Sequence, residues 1–216
     1  MARPSQNIDQ RLLDAGRALL PHTGCRGLSA RKLVEHAGVN LGMFHYHFRN
    51  KENFIRILLD QMYEQMFAML AIKAAESQSP IENLRNALQV LAQFAYRNRR
   101  LLLRIVTDAL GGETVAGEFL RANIPRHLAV LAELIAEAQR RGQIAAVPLP
   151  QVLAFFGGSV IAPVLLGSAL VEQAVIPAFL AGAFEADVLS ENAAAQRIEF
   201  ALRGLAPASP SKKGKS

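Results

Sequence analysis

The chain has 216 residues, 51% of them apolar or aromatic and 19% charged, which is enough for one large or two modest domains with a buried core and excludes wholesale disorder. Its single cysteine, Cys25, excludes an internal disulfide and a cysteine-rich zinc site. The net charge of +6 is uneven, because residues 1–50 carry seven Lys/Arg against three Asp/Glu while residues 51–206 are nearly neutral, a pattern that suits a polyanion-binding head on an apolar body.

Helical spacing dominates from the start. Residues 1–6 are expected to be a flexible N-terminus. Asn7 then caps a helix in which Ile8, Leu12, Ala15 and Leu19 share a face, with a stop near Pro21 and Gly24. Ser29 caps a second, short helix over 30–36 that buries Leu33 and Val34, and Gly38 fits a tight turn after it. Asn40 caps a third over 41–47, with Phe44 and Phe48 one turn apart. Asn50 opens a long fourth helix, to about residue 76, with Phe54, Leu58, Met62 and Met66 along one side.

Pro80 suits the first turn of a fifth helix to residue 98. A sixth spans 99–110 and ends at Gly111-Gly112. Residues 114–141 read as helix that Pro125 must kink or break, stopped by Gly142. A further helix covers 150–170 with Pro163 inside it, residues 173–186 are ambiguous, and the last helix covers 191–204. From Pro207 the composition is that of a disordered basic tail. No alternating strand pattern occurs, so the expected fold class is all-α.

Residues 28–48, LSARKLVEHAGVNLGMFHYHF, carry the chemistry. Two capped helices meeting at a glycine turn, with a longer helix directly after them, have the shape of a helix-turn-helix whose second helix enters the DNA major groove. Leu41, Met43, His45, Tyr46 and His47 are large for mere solvent exposure, and Arg31, Lys32, Arg49 and Lys51 around them can neutralise phosphates.

These residues resemble the TetR family of transcriptional regulators. Ser29, Ala37-Gly38-Val39, Gly42, His47-Phe48 and Lys51-Glu52 stand in that family's register over about residues 7–66. Asn40 replaces the usual Ser/Thr cap, Met43 stands where Thr is common and His45 where Tyr is common. The resemblance implies an N-terminal three-helix DNA-binding domain (7–66) joined to a larger helical effector-binding and dimerisation domain (67–206). It implies that Ser29 caps and touches phosphate, and that Arg31 reaches a phosphate or a guanine edge. Leu41, Met43 and Tyr46 would face bases, and His45, His47 and Lys51 would bond phosphates. The partners implied are double-stranded operator DNA, a second copy of the chain and a small apolar or amphipathic effector. The operator would be palindromic and the regulator a repressor.

The histidines are not expected to bind metal. His45 and His47 are two apart and point to different sides of a helix, and no cofactor is expected. Phe94, Arg104, Asp108 and His127 are candidate effector contacts, though core packing and an Arg104–Asp108 pair one helical turn apart explain them as well. The uncharged run 142–171 meets the length rule for a membrane span, about 20 residues. As the soluble alternative it supplies a dimer-forming helix, and Phe155, Val160, Leu165, Ile198 and Leu202 are the expected dimer contacts. A membrane-anchored helix-turn-helix protein and a helical enzyme are the rival readings. Against an enzyme, no catalytic constellation stands out. The first twenty residues mix Arg3, Asp9, Arg11, Asp14 and Arg17 without an apolar block, so no secretory signal and a cytoplasmic setting are expected.

Overall fold

In the computed structural model, which describes residues 4–207, eleven α-helices follow one another and no strand occurs among the described residues. They are α1 (Pro4–Gly27), α2 (Ala30–Ala37), α3 (Leu41–Phe48), α4 (Lys51–Lys73), α5 (Pro80–Arg97), α6 (Arg99–Leu110), α7 (Thr114–Arg140), α8 (Leu149–Phe156), α9 (Ala162–Glu172), α10 (Ala178–Phe184) and α11 (Glu191–Gly204). Wider π-helical turns, Gly157–Ile161 and Glu185–Leu189, follow α8 and α10. The expected fold class, all-α with an N-terminal helix-turn-helix and a larger helical part, is the observed one. Residues 1–3 of the expected N-terminus and 208–216 of the expected tail lie outside the described residues.

Several boundaries differ from the sequence reading. Pro4 opens α1, where a missing N–H costs nothing, so Asn7 lies inside the helix rather than capping it. The helix passes Pro21 and breaks at Gly24, whose φ of 66° and ψ of 179° only glycine adopts readily. Cys25–Gly27 add a further turn. Of the kink or break expected at Pro125, a break is absent, since α7 runs through it as one helix. The ambiguous stretch 173–186 contains α10, none of whose residues is buried.

The chain divides into two compact units. One gathers residues up to Gln65 with Asn98–Pro125, the other Met66–Arg97 with residues from Arg126 onward. A boundary drawn once along the chain at residue 66 separates α6 from the head, whereas α6 packs on α1 in the first unit. The first unit is cored by Leu12, Leu20, Leu33, Phe44, Phe48, Phe54, Leu58 and Ile105. Each fully buried side chain of this size contributes about 1.5–3 kcal/mol, which is what holds such short helices as α2 and α3. In the second unit α5 packs on α11, burying Leu84, Leu88, Ile198 and Leu202. Arg85 ties these helices, donating to Glu199 of α11 at 2.6 Å and pairing with Glu82, whose carboxyl its hydrogen bond holds below the ordinary range.

Candidate nucleic-acid interface

The turn between α2 and α3 is fixed by local chemistry. The Ser29 hydroxyl accepts from Lys32 N–H at 3.2 Å and caps α2. Gly38, at φ 63°, closes α2 in the left-handed conformation, and Val39 N–H returns to Val34 O at 3.0 Å. Asn40 Oδ1 accepts from Met43 N–H at 3.0 Å and caps α3, and Asn50 Oδ1 does the same for Asn53 N–H at 2.8 Å ahead of α4. The sequence left one restraint unseen. The Arg11 guanidinium, on α1, donates to the carbonyls of Ala37 at 2.6 Å and Gly38 at 3.1 Å, tying the turn to the first helix.

Phe44 and Phe48 anchor the inner side of α3, with Phe48 edge-on to Phe54 at 4.9 Å. Leu41 (41% exposed), Gly42, His45 and Tyr46 (77%) form its outer side, while Met43 and His47 are half-buried at the margins. Arg31, Lys32 and Arg49 are exposed around this row. Exposed large side chains, two capped ends and a basic border together suit insertion into the major groove.

Not every implied phosphate ligand is free for that role. Lys51 Nζ donates to Cys25 O at 3.1 Å and lies near Glu52, so it is spent partly on the broken end of α1. The Nε2 of His47 is buried without a hydrogen-bond partner, out of a phosphate's reach in this conformation. His45 Nδ1 donates to the Arg49 carbonyl at 2.9 Å.

The same broken end claims a candidate effector contact. Asp108 Oδ2 accepts from Cys25 N–H at 2.6 Å, and Arg26 donates to Gly111 O. Asp108 thus satisfies a backbone donor stranded by the Gly24 break, and not Arg104, which is exposed. Burial foremost, then the carboxylates of Glu113 and Asp108, pushes the Cys25 thiol up to about 12. Arg104 and Asp108 lie in the first unit, Phe94 and His127 in the second. None of the four walls the cleft of about 170 Å³ between α5 and α11, which Gln89, Gln93, Glu191 and Ala195 line.

Three expected dimer contacts prove to be interior. Val160, Ile198 (1% exposed) and Leu202 belong to the core of the second unit, because the inward stripe of α11 packs on its own α5 and the Gly157–Ile161 turn, which carries Val160, packs on both. Leu165 is half-buried and Phe155 is 43% exposed. The apolar side chains that do face outward on these elements are Phe155, Leu166, Leu170 and Phe200 (65%). Leu149–Glu172 is long and apolar enough to cross a membrane by length and composition, and 33% of its most apolar stretch is buried within the protein. Among the described residues, no three His, Cys, Asp or Glu side chains come together as a metal site would require.

Two short capped helices with the second turned outward form a helix-turn-helix, the class of fold that docks its second helix in the DNA major groove. Residues 12–56 match the family described as bacterial regulatory proteins, tetR family. The probable HTH-type transcriptional regulator YttP of Bacillus subtilis (strain 168) is 20% identical over 145 residues, 66% of this chain and 70% of that one. The ketosteroid transcriptional regulator KstR2 of Mycobacterium tuberculosis superposes with a TM-score of 0.67 at 14% identity, covering 92% of this chain and 95% of that one. The TetR family transcriptional regulator PfmR of Thermus thermophilus gives 0.65 at 17%, covering 91% and 100%. The family match thus covers the helix-turn-helix, and the fold of the chain is that of these solved regulators.

Proposed function

We propose that the protein is a cytoplasmic repressor that binds a palindromic duplex operator as a two-fold homodimer and leaves it when a small apolar or amphipathic effector binds. The observation that carries this reading is the outer side of α3. Leu41 and Tyr46 stand in water on a helix whose ends are capped and whose opposite side is core. In this reading Leu41, Met43 and Tyr46 meet base edges, and Gly42 lets the backbone approach. Arg31, Lys32 and Arg49 meet phosphates, with Ser29 and Asn40 holding the frame. The outward apolar set Phe155, Leu166, Leu170 and Phe200 supports a second copy as partner. Burial of Val152, Phe156, Val160 and Val164 supports a packed helix over the membrane-anchored alternative. The α4 helix has no glycine or proline in its interior and would serve as the lever between effector and DNA.

The test is site selection from random duplex DNA, with light scattering on the protein and its complex. The expected result is an inverted repeat with half-sites about 10 base pairs, or a multiple, apart and two chains per site. Selection of unrepeated or single-stranded sites, or one chain per duplex, contradicts it.

A further inference from the structure

His45 lies in one row with Leu41 on the outer side of α3, since positions four apart share a helix face. Its Nδ1 is 2.9 Å from the backbone carbonyl oxygen of Arg49. A carbonyl oxygen can only accept, so the proton of the neutral imidazole sits on Nδ1. That acceptor is itself held. Arg49 has φ 65° and ψ −60°, a conformation few L-residues adopt. Asn50 N–H closes a γ-turn onto Phe48 O at 2.7 Å, and Asn53 Nδ2 donates to the same oxygen at 3.1 Å. Arg49 N–H donates to His45 O at 3.0 Å. The Phe44 ring meets the imidazole edge-on at 5.5 Å. The ring is therefore oriented from two sides, and in the neutral form Nε2 is left as the acceptor.

We infer that His45 is a specificity-determining residue that accepts, at Nε2, a hydrogen bond from an exocyclic amino group in the major groove, N4 of cytosine or N6 of adenine. Those amino groups are the donors the groove offers. Guanine O6 and N7 and thymine O4 are acceptors, which the Nε2 lone pair repels. A phosphate oxygen repels it too, so this role replaces the phosphate contact that the family resemblance implies for the position. The inference rests on α3 being the docking helix.

The experiment uses the full chain and a duplex selected from random DNA. At each position in turn, adenine is replaced by purine, which lacks N6, or cytosine by 2-pyrimidinone, which lacks N4. One position per half-site should weaken the wild type roughly tenfold, the worth of one hydrogen bond, and leave His45→Ala unchanged. An unshifted thermal midpoint for His45→Ala, whose side chain is exposed, controls for folding. Nitrogen NMR of the free protein at neutral pH should find Nδ1 protonated and Nε2 bare. If wild type and His45→Ala respond alike at every position, or the NMR finds Nε2 protonated instead, the inference falls. Equal loss at all positions with a shallower salt dependence would mean a phosphate contact, overturning the inference and leaving the docking helix in place. Failure of the wild type to bind any duplex overturns both.

Discussion

The head formed by α1–α3 and the body formed by α8–α11 use short-range sequence information in opposite ways. In the head, Ser29, Asn40 and Asn50 each stand three residues before the backbone N–H they cap, so the residue, its spacing and its job coincide. In the body, the stripe Ala194, Ile198, Ala201 and Leu202 identifies a helix and its inner side correctly. It cannot say whether that side meets the chain's own core or a second copy, because hydrophobic burial has no direction. The answer lay with α5, about a hundred residues earlier, against which the stripe packs.

That difference is open to direct test, beginning with its largest effect. Ile198→Lys puts an unpaired charge into the core and should lower stability by about 3–5 kcal/mol, read by chemical denaturation. A folded monomer from this variant would restore Ile198 to a dimer surface. Asp108→Ala removes the partner of Cys25 N–H and should cost about 1–3 kcal/mol, because a buried donor is left unsatisfied. An unchanged midpoint would return Asp108 to the effector contacts.

The Cys25 thiol gives a pH signature. Its folded pKa is raised to about 12 by burial, so the folded state keeps a proton that the unfolded chain loses above about 9. This contribution to stability is complete below pH 9 and declines as pH rises from there through 12. Thiol reagents at pH 8 should label Cys25 only as fast as the head opens. Rapid labelling of the native protein would contradict the burial. The smallest stability effect belongs to Phe200→Lys, under about 0.5 kcal/mol, because the side chain is already in water. Sedimentation should nevertheless detect a loss of dimer, and a dimer of unaltered strength would move the interface elsewhere.

Most helices, the caps Ser29, Asn40 and Asn50, and the exposed row of α3 were legible because each depends on residues within about one turn. The polar ties were not. Arg11 reaches Ala37, Asp108 reaches Cys25, and Arg85 reaches Glu199, across 26, 83 and 114 positions. Asp108, a lone carboxylate on an apolar helix, was the one visible trace of such a tie. The stop expected near Pro21 and Gly24 falls at Gly24, and α7 runs on through Pro125, because surrounding helix carries the chain through a single missing N–H when packing favours it. The return of α6 to the head left no other local mark.

The central claim is that the outer row of α3 reads bases while the basic border only holds the duplex. Affinities of the wild type, Tyr46→Ala and Arg31→Ala on a panel of single-base operator variants, each at several salt concentrations, measure it most directly. Tyr46→Ala should lose about 1–3 kcal/mol of discrimination at particular base pairs and keep the wild-type salt slope. Arg31→Ala should weaken every sequence alike and flatten that slope. Equal losses at all base pairs for Tyr46→Ala, or no loss at any, would contradict the account.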